Sequence, residues 1–227
     1  MIAKEKRRVE SVIELARHYL NVTPVGVKFC FADNTIIGTR WYGEPLRYCE
    51  AVNRVMISSV EMLLDGENIS CHAAKEILGL VQCTQCLFSE CLKELIEKNK
   101  FKNQESAFKA LVSIPRLRKR PSSILLSNIR NSPDVYIFYL RPYEFMKVVQ
   151  AYQRVMGEEL EMDVSSVMPV CGNCTVRPYI TNQICASFGC RDSREYGGLT
   201  EDKLVVGMPT RKAELIMHSL VEMGNNG

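Results

Sequence analysis

The sequence predicts an α+β fold, with residues 1–227 forming a single domain in which a mixed β-sheet is flanked by helices. Short β-rich runs alternate with segments in which apolar residues recur at helical spacing. The composition, 46% apolar and 24% charged, is ordinary for a globular protein. A chain of 227 residues fits one domain, or two small and closely packed ones, and can bury a core of its own.

The first half of the chain is predicted to be mainly helical. Apolar residues at helical spacing predict helices over residues 4–20, 48–64, 71–78, 87–98 and 101–112. Residues 25–31 are β-rich and predict a strand. Ser70 is the predicted N-cap of the third helix, and Gly79 is predicted to end it.

The second half is predicted to contain three strands and two helices. Residues 122–129 and 135–140 predict two strands, and the turn residues between them fit a hairpin or a tight reversal. A helix is predicted to start at Pro142 and to close at Gly157. Residues 203–208 predict a further strand, and the final helix begins at Pro209-Thr210.

The chain contains ten cysteines, an unusual number for this length. Residues 1–10 have no apolar run behind their charges, so no secretory signal is predicted. The sequence contains no run of about 18 apolar residues, so no transmembrane helix is predicted. We therefore expect a cytoplasmic protein with no membrane partner. Disulfides are uncommon in that compartment, and clustered cysteines there more often bind metal or perform redox chemistry.

The charge pattern gives little indication of a partner. A net charge of +3 is too small to predict nucleic-acid binding, and a homo-oligomer is left open. The basic segment 116–120 has two interpretations, a contact for phosphate or an acidic partner and a solvated connection before a strand. The second is favoured, because no aromatic residues are interleaved with the charges.

Four cysteines fall within the twenty residues 171–190, at Cys171, Cys174, Cys185 and Cys190. Glycine and proline residues among them predict a looped segment rather than a long helix. Cys-x-x-Cys is the tightest common way to place two thiolates on one metal, and a second pair completes four soft ligands. The segment therefore predicts a site for a metal or cluster, or a redox thiol site.

Cys49 and Cys71 each lie in the first turn of a predicted helix. The positive end of a helix dipole lowers the pKa of a nearby thiol, so Cys71 is predicted to favour the thiolate form and to act as a ligand or nucleophile. His72 beside it is predicted to be exposed. Two ligand quartets are left open, one local and one spanning the chain: Cys171, Cys174, Cys185 and Cys190, or Cys49, Cys71, Cys185 and Cys190.

The remaining four cysteines, Cys30, Cys83, Cys86 and Cys91, lie outside both quartets. Cys30 alternates along a strand and is predicted to be a small buried hydrophobe. Cys83 and Cys86 form a second Cys-x-x-Cys pair. If Cys86 and Cys91 are both helical, they stand about 140° apart around the axis and about 7.5 Å apart along it, which is poor geometry for one metal. Cys91 is therefore predicted to be a core residue.

The cysteine spacing also suggests an internal repeat. In each half a strand and a helix precede one cysteine and then a Cys-x4-Cys pair, which matches Cys71 with Cys171 and the 86–91 pair with the 185–190 pair. This pattern predicts two βα halves, residues 1–100 and 115–227, related by a pseudo-twofold axis, with thiols gathered where they meet.

The chain resembles domain-of-unknown-function family 169, a family of uncharacterised archaeal cysteine-rich proteins that is also found in anaerobic bacteria. The resemblance covers nearly the whole chain and is carried by residues 25–29, 48–52, 70–79, 133–142, 185–191 and 204–209. It implies that Cys49, Cys71, Cys185 and Cys190 stand at family cysteine positions, and that Cys83, Cys86 and Cys91 are additional. It implies no activity.

Three functions remain open at this point. The first is an iron–sulfur or zinc protein that binds its group through cysteine thiolates. The second is a thiol-dependent redox or transfer enzyme that uses Cys71 or a Cys-x-x-Cys pair. The third is a non-catalytic binding or regulatory module with buried structural cysteines. Because the sequence has no Walker loop, dinucleotide fingerprint or Ser-His-Asp set, nucleotide and hydrolase functions receive little support.

Overall fold

A computed structural model describes residues 11–31, 40–58, 60–82, 85–129, 132–162 and 164–224, with the side chains of residues 85–88 left aside. Within these ranges a six-stranded sheet runs in the order β2-β3-β1-β4-β6-β5. The strands are β1 (Val25–Cys30), β2 (Met62–Leu64), β3 (Ser123–Ser127), β4 (Val135–Leu140), β5 (Cys185–Ser187) and β6 (Leu204–Pro209).

Every pair of neighbouring strands is antiparallel. Parallel pairing occurs in the described residues as three isolated bridges. Two lie against the edge strands, between Arg40 and Leu63 and between Val164 and Ala186, and the third joins Leu46 to Ile69. The predicted α+β class is therefore confirmed, with helices on both sides of one sheet.

The helices surround the sheet in two groups, and a π-helix (Pro169–Val176) joins one of them. Their bounds are α1 (Val12–Tyr19), α2 (Tyr48–Ile57), α3 (His72–Ile77), α4 (Gln85–Glu97), α5 (Gln104–Val112), α6 (Pro142–Met156), α7 (Arg177–Thr181), α8 (Arg191–Glu195) and α9 (Thr210–Gly224).

Alternation of side chains along each strand divides the core into two clusters. On β4, Ile137 and Tyr139 face the cluster formed with α2, α3, α5 and the π-helix. Tyr136 and Phe138 face the other cluster, formed with α1, α6 and α9. Every residue of β4 is buried, because helices cover both faces of the sheet at this strand.

Local signals in the sequence explain several helix ends. Ser11 and Glu14 form a capping box at the start of α1, with the Ser11 side chain accepting from the Glu14 N–H at 3.2 Å. Pro142 occupies the first turn of α6, where its missing N–H costs nothing. Gly157 ends α6 with a φ of 72°, a left-handed conformation that glycine adopts readily.

The predicted helix 48–64 is too long. The helix α2 ends at Ile57, and residues 62–64 form the edge strand β2, in which Met62 pairs with Leu126 of β3. Short apolar runs fit a strand or a helix equally well, and here pairing with the sheet decides the structure. Other boundaries shift as well: α3 takes Cys71 rather than Ser70 as its N-cap, and α5 begins at Gln104. The predicted helix 4–20 begins at Val12 after its N-cap Ser11, and residues 4–10 of that prediction lie outside the described residues.

The predicted hairpin or tight reversal between residues 122–129 and 135–140 is wrong, because both strands run antiparallel to β1 and so point the same way. Both strands exist, but β1 lies between them and pairs with each. Gly26 of β1 makes room for the connection, because a Cβ atom there would lie 2.9 Å from Cγ of Pro133. The turn residues therefore lead the chain from β3 past the start of β1 to the other side of β1, where β4 begins.

The predicted loop over residues 171–190 is in large part helical. The π-helix runs from Pro169 to Val176 and continues into α7, and Gly172 is packed against the Ile114 side chain. Pro178 does not interrupt this segment because it lies in the first turn of α7, where a proline is tolerated. Gly172 allows close packing and Pro178 lies at a helix start, so neither residue marks a loop.

The order of the strands is equivalent from either edge of the sheet if β1 corresponds to β4, β2 to β5 and β3 to β6. That matching places a division after β3, beyond residue 127, and pairs Cys71 before α3 with Cys190 before α8. It differs from the correspondence that the cysteine spacing suggests. The two-fold relation between halves stays a prediction.

Candidate functional site

A cavity of about 300 Å³ opens between α2, α3, α4, α8 and the π-helix. Five of its lining residues are cysteines, which come from five separate segments of the chain: Cys49, Cys71, Cys91, Cys171 and Cys190. The fold thus brings together thiols that lie as much as 141 positions apart in the sequence, from residue 49 to residue 190.

Four of these cysteines stand at helix starts. Cys49 is the second residue of α2, Cys71 is the N-cap of α3 and Cys190 is the N-cap of α8. Cys171 is the third residue of the π-helix. The first N–H groups of a helix have no partner within the helix and carry partial positive charge, so these positions favour anionic ligands and thiolates.

The π-helix is anchored to α2 beside the cavity. The Tyr48 hydroxyl hydrogen-bonds to the Thr175 hydroxyl at 3.1 Å, and the latter donates to the Val170 carbonyl at 2.7 Å. Met168, which lines the cavity and precedes the π-helix, has a φ of 49°. A bulky residue in the left-handed region is strained, and such strain concentrates at functional sites.

Arg47 and Asp192 link α2 to α8 at the mouth of the cavity. Their side chains form an ion pair of 2.9 Å, and the Arg47 guanidinium lies 4.5 Å from the centre of the Tyr196 ring. The Cys49 thiol donates to the Asp192 carbonyl at 3.7 Å. Gly197 permits this approach, because a Cβ atom there would lie 2.9 Å from Cβ of Cys49.

The cavity has an apolar floor and a charged rim. Val170 and Cys171 are buried. The lining side chains at the rim are exposed and carry both signs of charge, with His72 among them: His72, Glu90, Glu94 and Lys100. Exposure of His72 agrees with its prediction. A group held at the floor would be shielded from water, whereas a ligand could reach it from the rim.

Burial raises the pKa of four of the cavity thiols: Cys49, Cys71, Cys91 and Cys171. Burial, followed by the neighbouring Cys190 and Cys71, raises the pKa of Cys49 to about 12. Burial also raises the pKa of Cys171, with Cys71 and Cys49 adding to the effect. Each thiolate therefore disfavours the next one, which places the sulfurs in one electrostatic group.

The predicted low pKa of Cys71 is wrong. Burial raises its pKa, although the Ala74 N–H and the Arg47 charge act in the opposite direction. The helix that Cys71 caps has only six residues, so its dipole does not outweigh desolvation of the thiolate. Protons must be displaced, by metal or by another electrophile, before these thiols become ligands.

Cys91 is the cavity residue that the sequence interpretation missed. It lies on α4, packs partly against the core as predicted, and also lines the cavity. Burial and the nearby Glu76 carboxylate raise the pKa of its thiol to about 11. The spacing argument concerned Cys86 and Cys91 as joint ligands. It did not consider partners from α3, and a lone cysteine in a helical pattern gives no signal of them.

Cys174 and Cys185 lie away from the cavity lining. Both are buried, and the Cys174 thiol lies within 3.7 Å of the Cys185 carbonyl and 3.5 Å of the Val205 carbonyl. Burial raises the pKa of Cys174, and the neighbouring Cys185 adds to this. The structure thus combines Cys49 and Cys71 from one predicted quartet with Cys171 from the other, and Cys190 belongs to both. Cys30 is buried in β1, as predicted.

The thiols are not drawn together around a single ligation point. Among the residues that the structure describes, no group of three or more His, Cys, Asp or Glu side chains is arranged to hold a metal ion. Metal binding therefore stays a prediction, as does the choice of ligands. The predicted Cys83-x-x-Cys86 pair lies outside the described residues, because Cys83 and the side chain of Cys86 are both excluded.

The basic segment 116–120 contains two basic side chains that contact the rest of the protein. Nε of Arg116 pairs with the buried Glu76 carboxylate at 2.8 Å, and its Nη1 donates to the Leu111 and Ile114 carbonyls at 3.2 Å. Lys119 lies over the Phe31 ring at 4.4 Å. Two of the basic side chains thus bind within the protein, whereas Arg118 and Arg120 are exposed.

Over the described ranges, none of the helices has the length and apolar character needed to cross a membrane. Fold and site together define an α+β protein whose distinctive feature is a cavity lined by cysteines.

The chain belongs to the uncharacterised ArCR family, domain of unknown function 169, whose model matches residues 17–219. This confirms the resemblance noted from the sequence. The chain is also 21% identical over 180 residues to uncharacterized protein MJ0308 of Methanocaldococcus jannaschii, an alignment that covers 78% of this chain and 77% of that protein. No solved structure gives a significant match.

Proposed function

We propose that the cavity binds an iron–sulfur cluster through Cys49, Cys71, Cys171 and Cys190. The observation that supports this is the convergence of five thiols, from five separate segments, on one partly buried cavity. Isolated cysteines are often simply buried, as Cys30 is, but chance burial gives no reason for so many to line the same space.

The size of the cavity favours a cluster over a single zinc ion. A tetrahedral zinc site places four sulfurs about 2.3 Å from one point and encloses no further space. About 300 Å³ corresponds to roughly ten water molecules at their liquid volume, which suits the eight atoms of a [4Fe–4S] core. The cysteine spacing matches neither common ferredoxin run, and four thiolates hold a [2Fe–2S] cluster as well as a [4Fe–4S] cluster, so the cluster type is assigned by the cavity volume alone.

Backbone N–H groups are placed to stabilise sulfur in its charged form. The N–H groups of Glu50, Ala74 and Gly172 each lower the pKa of the nearby Cys49, Cys71 or Cys171 thiol against the larger effect of burial. Hydrogen bonds to sulfur are among the main determinants of cluster stability and potential. The Arg47 guanidinium adds a positive charge beside Cys71.

Anaerobic reconstitution with ferrous iron and sulfide tests this proposal. A coloured protein with about four iron and four sulfide per chain is expected, because four thiolates complete a [4Fe–4S] centre. Iron, acid-labile sulfide and visible absorption measure it. Colourless protein that instead retains one zinc ion would assign the same cysteines to a structural zinc site, and protein that retains no metal would contradict both assignments.

A thiol enzyme would need a reactive thiolate in the metal-free protein, whereas the cluster proposal predicts cavity thiols of low reactivity. Cys49 carries about a thousandfold less thiolate than an unperturbed thiol, because its pKa rises from 9.0 to about 12. We expect Cys49, Cys71, Cys91 and Cys171 to react slowly with iodoacetamide at pH 7, with the Cys49 rate rising about tenfold per pH unit up to its pKa. Peptide mass spectrometry over a time course measures each site.

The same thiols in denaturant-unfolded protein provide the control for intrinsic reactivity. Labelling of Cys71 that is faster in the folded protein than in the unfolded protein would support an activated nucleophile and count against the cluster.

A further inference from the structure

The π-helix turns its two cysteines to different sides. Its N–H groups reach back five residues, as when the Asn173 N–H donates to the Met168 carbonyl at 3.3 Å. In an α-helix, Cys171 and Cys174 would lie about 60° apart around the axis, because three residues turn through about 300°. Each residue of a π-helix turns through a smaller angle, so the two side chains lie further apart. Cys171 therefore lines the cavity, while the Cys174 thiol lies 3.5 Å from the Val205 carbonyl oxygen.

Two buried hydroxyl groups match the spacing of the π-helix. The Thr175 hydroxyl donates at 2.7 Å to the carbonyl of Val170, five residues earlier. In an α-helix a threonine hydroxyl reaches the carbonyl three or four residues earlier, so this hydrogen bond fits the π-helix instead. It uses the one proton of the Thr175 hydroxyl, and the Tyr48 hydroxyl, 3.1 Å away, is therefore the donor to Thr175. Both side chains are fully buried.

The hydrogen bonds of this hydroxyl pair, Tyr48 and Thr175, join the neighbours of two assigned ligands. Tyr48 precedes Cys49 at the start of α2 and lines the cavity. Val170, whose carbonyl accepts the last hydrogen bond, lies at the cavity floor and precedes Cys171. The pair thus ties the backbone next to one ligand to the helix that carries another.

We propose that Tyr48 and Thr175 are positioning residues that hold this segment as a π-helix and so keep Cys171, and not Cys174, facing the cavity. The inference rests on the proposed function, in which Cys171 is a ligand. π-Helices are rare and are found frequently at functional sites, which agrees with a segment held in this form by side chains.

The double variant Tyr48→Phe/Thr175→Val tests this assignment, because it removes both hydroxyls with little change of shape. No hydroxyl is left stranded, so the metal-free double variant should melt near the wild-type temperature. After reconstitution with ferrous iron and sulfide, we expect it to retain iron about 10-fold less tightly in competition with a chelator, as when a group that orients a metal ligand is lost. In the metal-free protein, amide hydrogen exchange over residues 169–176 should be about fivefold faster.

Two single variants provide the controls. Thr175→Ser keeps the hydroxyl and should retain iron as the wild type does. Tyr152→Phe also removes a tyrosine hydroxyl that donates a hydrogen bond, at 2.9 Å to Glu158, but Tyr152 belongs to the core cluster on the other face of the sheet. It should leave both iron retention and exchange over residues 169–176 unchanged.

Wild-type iron retention by the double variant would overturn the inference and leave the cluster proposal intact. A double variant that melts well below the wild type and exchanges faster throughout the chain would also overturn it, since the hydroxyl pair would then have a general structural role. A wild type that takes up no iron would reject the proposed function. The exchange measurement then decides the inference by itself: faster exchange confined to residues 169–176 would support it, and unchanged exchange would overturn it.

Discussion

Alanine at Cys49, Cys71, Cys171 or Cys190 is expected to abolish cluster binding, whereas alanine at Cys174 or Cys185 is expected to preserve it. The first four side chains line the cavity, and the other two point to backbone carbonyls elsewhere in the core. Loss of an outer-shell partner alone weakens metal sites by about 10- to 100-fold, so loss of a ligand should cost at least about 100-fold in iron retention. Iron and sulfide per chain after anaerobic reconstitution measure the effect.

Cys30→Ala is the control for loss of a buried thiol, because Cys30 is 2% exposed and lies on β1 away from the cavity. It should bind as much iron as the wild type at equal folded content. The opposite pattern, in which Cys185→Ala loses iron and Cys171→Ala keeps it, would restore the quartet that spans Cys49, Cys71, Cys185 and Cys190 and reject the cavity assignment.

Cys91→Ala distinguishes a ligand from a bystander inside the cavity. Cys91 comes from the middle of α4 rather than from a helix start, and the Glu76 carboxylate beside it disfavours its thiolate. We therefore expect Cys91→Ala to retain the cluster. Loss of iron from this variant would show that the fifth thiol replaces one of the four assigned ligands.

Much of the architecture could be predicted from local patterns. The strands at residues 25–30, 135–140 and 204–209 and the helix from Pro142 were found because each has a clear period and clear end signals. Strand order could not be found in this way. The insertion of β1 between β3 and β4 depends on pairing between residues about 100 positions apart, such as Gly26 with Ser127, and no local signal records it.

The sequence predicted a site lined by cysteines but not which cysteines would line it. Placement of Cys49 and Cys71 at helix starts followed from sequence, and both line the cavity. The assignment of Cys185 as their partner rested on the family resemblance and on the Cys-x4-Cys pair that it forms with Cys190. Strand pairing explains the position of Cys185, because β5 pairs with β6 and holds Cys185 in the sheet. Cys190 follows the strand and caps α8. The π-helix, which sets Cys171 and Cys174 on different sides, has no sequence signature that would have been recognised.

Gly207→Ala is expected to destabilise the protein by at least about 3 kcal/mol and to disrupt the site as well, at the upper end of what overpacking costs. A Cβ atom at Gly207 would lie 2.1 Å from the Cys174 carbonyl oxygen and 2.6 Å from its carbon. Both are backbone atoms of the π-helix, so the clash cannot be relieved by a side-chain rotation. The π-helix must move away from β6, and Cys171 moves with it.

Gly66→Ala is the matched control, since the nearest atom to its new Cβ would be the Leu80 carbonyl oxygen at 3.3 Å. We expect it to change the free energy of unfolding by less than about 1 kcal/mol, because the backbone there is not left-handed. Chemical denaturation of the metal-free variants measures stability, and iron uptake under conditions where Gly207→Ala remains folded measures the site. A Gly207→Ala protein that unfolds with the wild type and takes up iron normally would show that the contact between β6 and the π-helix does not position Cys171. The cavity would then need another explanation for its geometry, because at this contact the helix that carries that ligand packs against the backbone of β6.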